Sequence, residues 1–320
     1  MKKTRLLDEI DSEPRRRPYA AHVDILLGED VELNLEYPVT LLVTPTAIIQ
    51  IKLAPKQPVG ALQHLKKYRV EIEGFAKASE AETAGLRLAT ALLWAAVSKR
   101  FTMRLDYHTP LPCVVYDRTA SRGGMTISAT MKSYWPLTPH DFSGLLSADI
   151  LESSTAVDNQ LLLSMELFAA ARLEISARAR FISLVSSLEP LAAQRTYPDA
   201  VKEIVERFQQ ELAAYEMPGV PEPDAARLKA SMTARLSELQ RESIRQAILR
   251  NVRELLPDNK NALKIIDEAY ALRSRILHEG GSDPYLDKRI SDIEDTIRLM
   301  FAARIGKELI VPPISAAQTT

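Results

Sequence analysis

The sequence predicts an α+β N-terminal domain followed by an all-α helical bundle. Three observations carry this reading. Residues 18–150 contain short runs rich in Val, Ile, Leu, Tyr and Thr, several alternating apolar and polar with period two. From residue 155 onward, apolar side chains recur at steps of three, four and seven, the spacing of one helix face. Between the two patterns, residues 131–155 hold Pro136, Pro139 and many Ser and Asp residues, which places a boundary near 152. A chain of 320 residues suits two domains of ordinary size.

The expected strands cover 21–27, 39–43, 47–53, 68–75 and 101–107, with 113–116 and 125–131 as two more. Arg69-Val70-Glu71-Ile72-Glu73 alternates most cleanly, so one of its faces covers a core and the other meets water. Residues 79–99 read as a helix. Glu82 follows Ser79 by three, the spacing of a capping box, and Leu86, Ala89, Leu93 and Val97 form an apolar stripe. The simplest architecture for 18–152 is a curved sheet packed on that helix. Arg122-Gly123-Gly124 reads as a turn. No third spaced glycine or following Lys-Ser/Thr makes it a phosphate cradle.

In the bundle, expected over 153–308, Leu161, Met165, Phe168, Ile175 and Ile182 mark the first helix. A second covers about 197–215, and Pro218, Pro221 and Pro223 break it from the next. Leu228, Met232, Leu236 and Leu239 begin a long helix running to Leu256, where Pro257 stops it. A fourth covers about 260–278. The last is capped by Asp283, with Pro284 in its first turn, and its stripe is Leu286, Ile290, Ile293, Ile297 and Met300. Residues 1–17, with Arg15-Arg16-Arg17, read as a flexible basic arm, and 309–320 as a disordered polar tail.

Composition excludes several classes. With 46% hydrophobic and 26% charged residues, the chain is no disordered polymer or collagen-like repeat. The net charge is −1, with 19 basic against 17 acidic side chains in residues 1–150 and 22 against 25 in the rest. Neither part is a polycation, so any nucleic-acid contact must come from a local patch. Cys113 is the single cysteine, which excludes an intramolecular disulfide and fits a reducing compartment. Its apolar surroundings read as a buried thiol rather than a nucleophile. The N-terminus is too charged for a signal peptide, and the apolar run 88–97 is about half of the ~20 residues a membrane span needs. The expectation is a soluble cytoplasmic protein without membrane contact. There is no P-loop, Cys-x-x-Cys, His-Glu-x-x-His or Gly-x-Ser-x-Gly, and the five histidines are scattered. No cofactor and no metal are expected.

The segment 270–281 is the informative one. Ile266, Tyr270, Arg273 and Leu277 step by four, three and four, so Arg273 interrupts an apolar line and needs a partner or a cavity. His278 follows five residues later, about 140° round a regular helix. Gly280 and Gly281 come next and can end the helix with positive φ. A loosened last turn would swing the imidazole toward the guanidinium. Such a pair suits phosphodiester chemistry. Arginine neutralises charge growing on phosphorus, and histidine moves a proton to or from ribose oxygens near neutral pH. Arg273 and His278 are therefore the candidate catalytic residues. Glu189 continues the face of Ile182 and Val185 and lies beside Pro190 at a helix end, where the macrodipole disfavours an acid. It calls for a cationic partner, Arg273 or Arg245, unless it frays into solvent. Tyr270 reads as core packing with a wet hydroxyl, or else as a stacking surface for substrate. Arg275 lies off the stripe, in solvent or against phosphate.

Arg-x4-His at the end of a helix in a helical domain of this size resembles the HEPN domain. Leu272-Arg273-Ser274-Arg275-Ile276-Leu277-His278-Glu279-Gly280 is similar to the Leu-Arg-Ser-x-x-x-His-x-Gly form of the Apea-like branch. The stretches Arg180–Glu189 and Glu242–Gln246 resemble the same branch, so the likeness spans about 155–305. It implies a homodimer through the helical domain, with two motifs facing each other in a shared cleft. It implies a metal-independent endoribonuclease that uses the ribose 2′-hydroxyl as nucleophile, with Arg273 as transition-state anchor and His278 as general acid/base. Ser274, Glu189 and Tyr270 would support them. Ser274 stands where active members often carry Asn, Asp or His, a departure that bears on catalysis and not on the fold. RNA is then the expected partner. A regulatory protein or phage trigger would act through the N-terminal domain, as in bacterial phage-defence or toxin systems. The alternative is a catalytically inactive HEPN dimer that binds protein or nucleic acid, in which Arg273 pairs with Glu189 to fix the bundle and His278 caps the helix.

Overall fold

The computed structural model describes residues 17–28, 37–44, 47–54, 65–107, 109–119, 139–146, 148–152, 157–174, 176–280 and 283–310, with positions 31, 33 and 35. The expected arm apart from Arg17, the strand at 125–131 with its preceding turn, Ile175, and residues 311–320 of the expected tail lie outside the described residues.

An antiparallel sheet region precedes a helical C-terminal half. The strands are β1 (Tyr19–Leu27), β2 (Val39–Val43), β3 (Ile48–Leu53), β4 (Lys66–Phe75), β5 (Met103–Leu105) and β6 (Val114–Asp117). They run in the order β2-β3-β4-β1-β5, and β6 pairs with the other end of β1. Ala21, Val23 and Ile25 of β1 share one fully buried face with Val70 of β4 and Ile49 and Ile51 of β3. On the opposite face Asp24 lies across from Arg69, and His22 from Glu71. Arg69 donates to Asp24 through Nε and Nη2 at 2.6 and 2.8 Å. Lys67 bridges Asp24 and Asp106, at 3.3 and 2.6 Å. The expected strand 101–107 is shortened to three residues. Only Ile25–Leu27 of β1 face it, because β6 takes Tyr19–His22.

Helix α1 (Ala78–Lys99) lies on the apolar face of the sheet. It does not start with the Ser79 capping box. Its N-cap is Lys77, in extended conformation with no side-chain cap. From Leu88 to Ser98 all but one residue is buried, because the far side of α1 is covered as well, by α4 (Asn159–Ala171). A helix apolar nearly all round is a helix with two packed faces.

The remaining helices are α2 (Pro139–Leu145), α3 (Ala148–Leu151), α5 (Ala177–Ser186), α6 (Asp199–Ala214), α7 (Glu222–Glu238), α8 (Ile244–Leu255), α9 (Lys260–Glu279) and α10 (Leu286–Ile305). By contacts the chain divides into one unit of residues 1–187 and 285–320 and a second of 188–284. This differs from the boundary expected near 152, and packing gives the reason. Helix α4 lies against α1 and β5, and α5 packs on α4 and α10. The guanidinium of Arg298 in α10 donates to the carbonyl oxygens of Val97 and Ser98 at the end of α1, at 2.8 and 2.9 Å. Three helices of the expected bundle therefore complete the unit that holds the sheet.

Three helix expectations are also corrected. The first helix of the bundle is two, because the chain leaves the helix after Ala171 and restarts at Ala177. The long helix 228–256 is likewise two. Ser243 opens α8 with a capping box, accepting from Gln246 N while the Gln246 side chain accepts from Ser243 N. The last helix begins at Leu286, after Asp283 and Pro284, and Tyr285 is its N-cap. In the second unit, α6 packs on α7 and α8 on α9. Among the described residues no helix is long and apolar enough to cross a membrane.

Gly85 gives a direct test of the α1–sheet contact. A Cβ there would stand 2.8 Å from Cys113 Sγ and 2.9 Å from Ala21 Cβ. In an exposed helix, Gly→Ala gains about 1 kcal/mol. Here the sign reverses: Gly85→Ala is expected to destabilise by roughly 1–3 kcal/mol in urea denaturation, the usual cost of overpacking. Asp24 gives a second test. Burial works against its charged form, but the hydrogen bond and charge of Arg69, with His22 and Lys67, hold its carboxyl below the usual value of 3.8. Its contribution is present above that value and lost as pH falls through the lower folded one. Between about pH 5 and 2, stability of Asp24→Asn should fall less steeply than that of the unchanged protein, read by urea titration at each pH.

Candidate functional site

The site is built by the 188–284 unit. Asn259 caps α9, accepting from Ala262 N at 3.0 Å. Ala262, Ile266, Ala269, Leu272 and Ile276 are the buried line of α9, and Ala247, Ile248, Asn251 and Val252 that of α8. Asn251 donates through Nδ2 to the carbonyl of Leu191 at 3.1 Å, fixing the single 3₁₀ turn Glu189–Leu191 against α8. Arg250 adds a bond to the carbonyl of Ala193 at 2.7 Å and an ion pair to Glu242 at 3.0 Å. Together these contacts set where Glu189 stands.

Arg273 reaches that carboxylate: its Nη2 lies 3.0 Å from Glu189 Oε1. Of the two proposed partners of Glu189, Arg273 is the one it meets, while Arg245 pairs with Asp267 at 2.7 Å. Tyr270, one turn before, lies under the guanidinium, with its ring centroid 5.7 Å from Cζ. The ring thus packs against the arginine, a cation–π arrangement. Arg273 does not interrupt the buried line of α9, as the 266-270-273-277 spacing suggested. That line runs one residue earlier, through Leu272 and Ile276, and Leu277 is 50% exposed. Arg273 sits at the edge of the line, with 21% of its side chain exposed.

The last turn of α9 is not loosened. The helix continues through Glu279 and ends at Gly280, whose φ of 66° is the left-handed conformation glycine tolerates. Arg273 and His278 therefore leave one regular helix about 140° apart and do not converge within one chain. Ser274, Arg275 and His278 are exposed. Within one copy the structure brings together Arg273, Glu189 and Tyr270, and leaves Ser274 and His278 on other faces.

Two further features escaped the sequence reading. A cavity of about 740 Å³ in the unit with the sheet is lined by Arg17, Phe75, Ser79, Thr83, Arg87 and Glu152, among others. No motif marks it, because residues of the β4 end and the α1 start meet Arg17, Leu151 and Glu152 only in the fold. The second is a cluster of arginines around Glu294 and Asp295, hidden in what reads as the solvated face of α10. Cys113 is buried, as expected. Burial, with the charge of Glu82, pushes its thiol up to about 11, so it is no ready nucleophile.

No protein-family model matches the sequence, and no curated protein or solved structure is similar enough to count as a match. The residues and their geometry carry the functional reading.

The Glu189–Arg273 pair is partly solvated, so its worth is small. A double-mutant cycle with Glu189→Gln and Arg273→Gln should give a coupling of roughly 0.2–1 kcal/mol in urea denaturation. A coupling of zero would mean that the carboxylate does not hold the guanidinium.

Proposed function

We propose that this chain is a metal-independent endoribonuclease of HEPN type, of the Apea-like branch, that cleaves RNA as a homodimer. The observation that carries the reading is the end of α9. A guanidinium oriented by Glu189 and Tyr270 and an exposed imidazole occupy the last two turns of one helix, in the Leu-Arg-Ser-x-x-x-His-x-Gly segment. Arg273 stabilises charge on the phosphorane. His278 takes the proton of the 2′-hydroxyl or returns one to the leaving 5′-oxygen.

The divergence of the two side chains adds a requirement. A single copy cannot aim both at one phosphodiester, so Arg273 of one protomer works with His278 of the partner subunit across a shared cleft. Leu277, half exposed on the same turn as His278, is the apolar side chain a second copy would cover. Glu189 neutralises Arg273 in the resting protein, and an incoming phosphate displaces that carboxylate. In a phage-defence or toxin setting, the N-terminal region receives the trigger.

One observation favours the second reading, a catalytically inactive HEPN dimer that binds protein or nucleic acid. Arg273 is already engaged by Glu189, as a bundle-fixing arginine would be.

The two part company in one experiment. Cleavage of a mixed RNA pool is followed in EDTA. The nuclease reading expects cleavage by the unchanged protein and a loss of about 10²–10⁴-fold in His278→Ala, the range of general acid–base catalysis. Arg273→Ala should lose cleavage too and flatten the salt dependence of RNA binding by about one unit of log–log slope. If every RNA stays intact while binding persists, the module reading stands. A salt-independent affinity excludes RNA as the partner.

A further inference from the structure

Four arginines close on two carboxylates in the unit that contains the sheet. Arg100 follows α1, Arg172 follows α4, Arg180 belongs to α5 and Arg298 to α10, beside Glu294 and Asp295. Glu294 pairs with Arg180 and, at 3.7 Å, with Arg172. Asp295 pairs with Arg100 and, at 3.3 Å, with Arg298. Each carboxylate thus serves two guanidiniums, and the buried centre holds four positive charges against two negative ones. Arg298 is 0% exposed. Burial and then the like charges of Arg100 and Arg172 push its guanidinium down to about 10. Arg100 is lowered as well, by burial and by Arg172, against the pull of Glu294.

The donors are unmatched in the same place. The Nε–H groups of Arg100, Arg172 and Arg180 are shut off from solvent and meet no acceptor among the described residues. Buried donors of this kind are rare in proteins, and each calls for a partner. Arg100 adds a backbone argument. It is the one described non-glycine residue with positive φ, 64°, at a helix C-cap where glycine fits without strain. What its backbone loses, its side chain must supply.

A cavity of about 390 Å³ opens against this cluster, lined by Arg100, Arg180, Ser291 and Glu294, with Ala177 and Ile290 at its apolar side. Glu174 and Asp287 line it as well, and both are exposed, so water screens them at the mouth. Its volume lies at the small end of the range for small-molecule sites.

We propose that this cavity binds a phosphate dianion, free or as the end of a phosphomonoester, on the guanidiniums of Arg100 and Arg180. Arg172 and Arg298 stand behind the carboxylates and supply the field. Within the buried cluster guanidiniums exceed carboxylates by two. The exposed Glu174 and Asp287 at the mouth offset that excess in formal charge but, screened by water, only in part in field. Guanidiniums arriving from two different helices suit a tetrahedral oxyanion better than a planar carboxylate. Glu174 and Asp287 accept hydrogen bonds, so at the mouth they favour hydroxyl groups and repel a second anionic group.

The test uses the full chain at pH 8, with inorganic phosphate and ribose 5-phosphate as probes and sodium chloride at matched ionic strength as control. Binding is read by titration calorimetry and by the thermal unfolding midpoint. A saturable rise in midpoint with phosphate, which chloride does not reproduce, is expected. Tighter binding of ribose 5-phosphate assigns the site to an ester, and equal binding assigns it to free phosphate. Arg100→Gly, whose backbone suits φ 64°, should keep the ligand-free midpoint and bind at least about tenfold more weakly, as one charge-assisted hydrogen bond predicts. Arg180→Gln, at a half-exposed position, gives the same readout if Arg100→Gly fails to fold. The proposal is overturned if chloride reproduces the phosphate effect, or if the folded variants bind like the unchanged protein.

Discussion

The bond from Arg298 to the end of α1 is the constraint on which the architecture depends. A helix ends with carbonyl groups that have no partner in the helix. In α1 those of Val97 and Ser98 are met by a guanidinium two hundred residues later in the chain. The arginine is wholly buried and could not be tolerated without acceptors. Two carbonyls and Asp295 supply them. The unit with the sheet is therefore complete only when α10 has returned to it. Residues 188–284 fall between its two parts in the chain, and their two hairpins are an insertion rather than the continuation of one bundle.

This arrangement explains what could be read in advance. Period-two alternation placed β1, β2, β3 and β4 within about two residues, because in each the side chains alternate between the two faces of the sheet; β1 and β4 pack on α1 and β2 on α2. The stripe of α10 through Ile290, Ile293, Ile297 and Met300 was legible for the same reason. The partner of that stripe was not. Glu294, Asp295 and Arg298 have the spacing of a solvated face, and only the chain's return to α1 buries them. Spacing also carried helices across breaks. Ile182 lies in register with Phe168 although a turn separates α4 from α5, since a seven-residue step looks the same whether or not the backbone is continuous.

At the candidate site the chemistry was legible and the direction was not. That Glu189 needed a cation followed from an acid on an apolar face beside a proline, and the partner is Arg273. That Arg273 lies beside the buried line, and not in it, depends on how α9 is rotated against α8. Apolar spacing fits the line through Tyr270 and Leu277 nearly as well as the one through Leu272 and Ile276. The rotation follows from the buried lines of α8 and α9, while the bond of Asn251 to Leu191 holds the turn that carries Glu189 against α8.

A net charge of −1 conceals two unlike uses of arginine. Arg273 meets the single carboxylate of Glu189, at a partly solvated edge where the pair is weak. Around Glu294 and Asp295, guanidiniums outnumber these two carboxylates two to one, and both carboxylates are buried. Summing charge over the chain erases the difference, because the Coulomb energy of an ion depends on its neighbours within a few ångströms and on their access to solvent. The local balance of each guanidinium, not the total, sets the field around it.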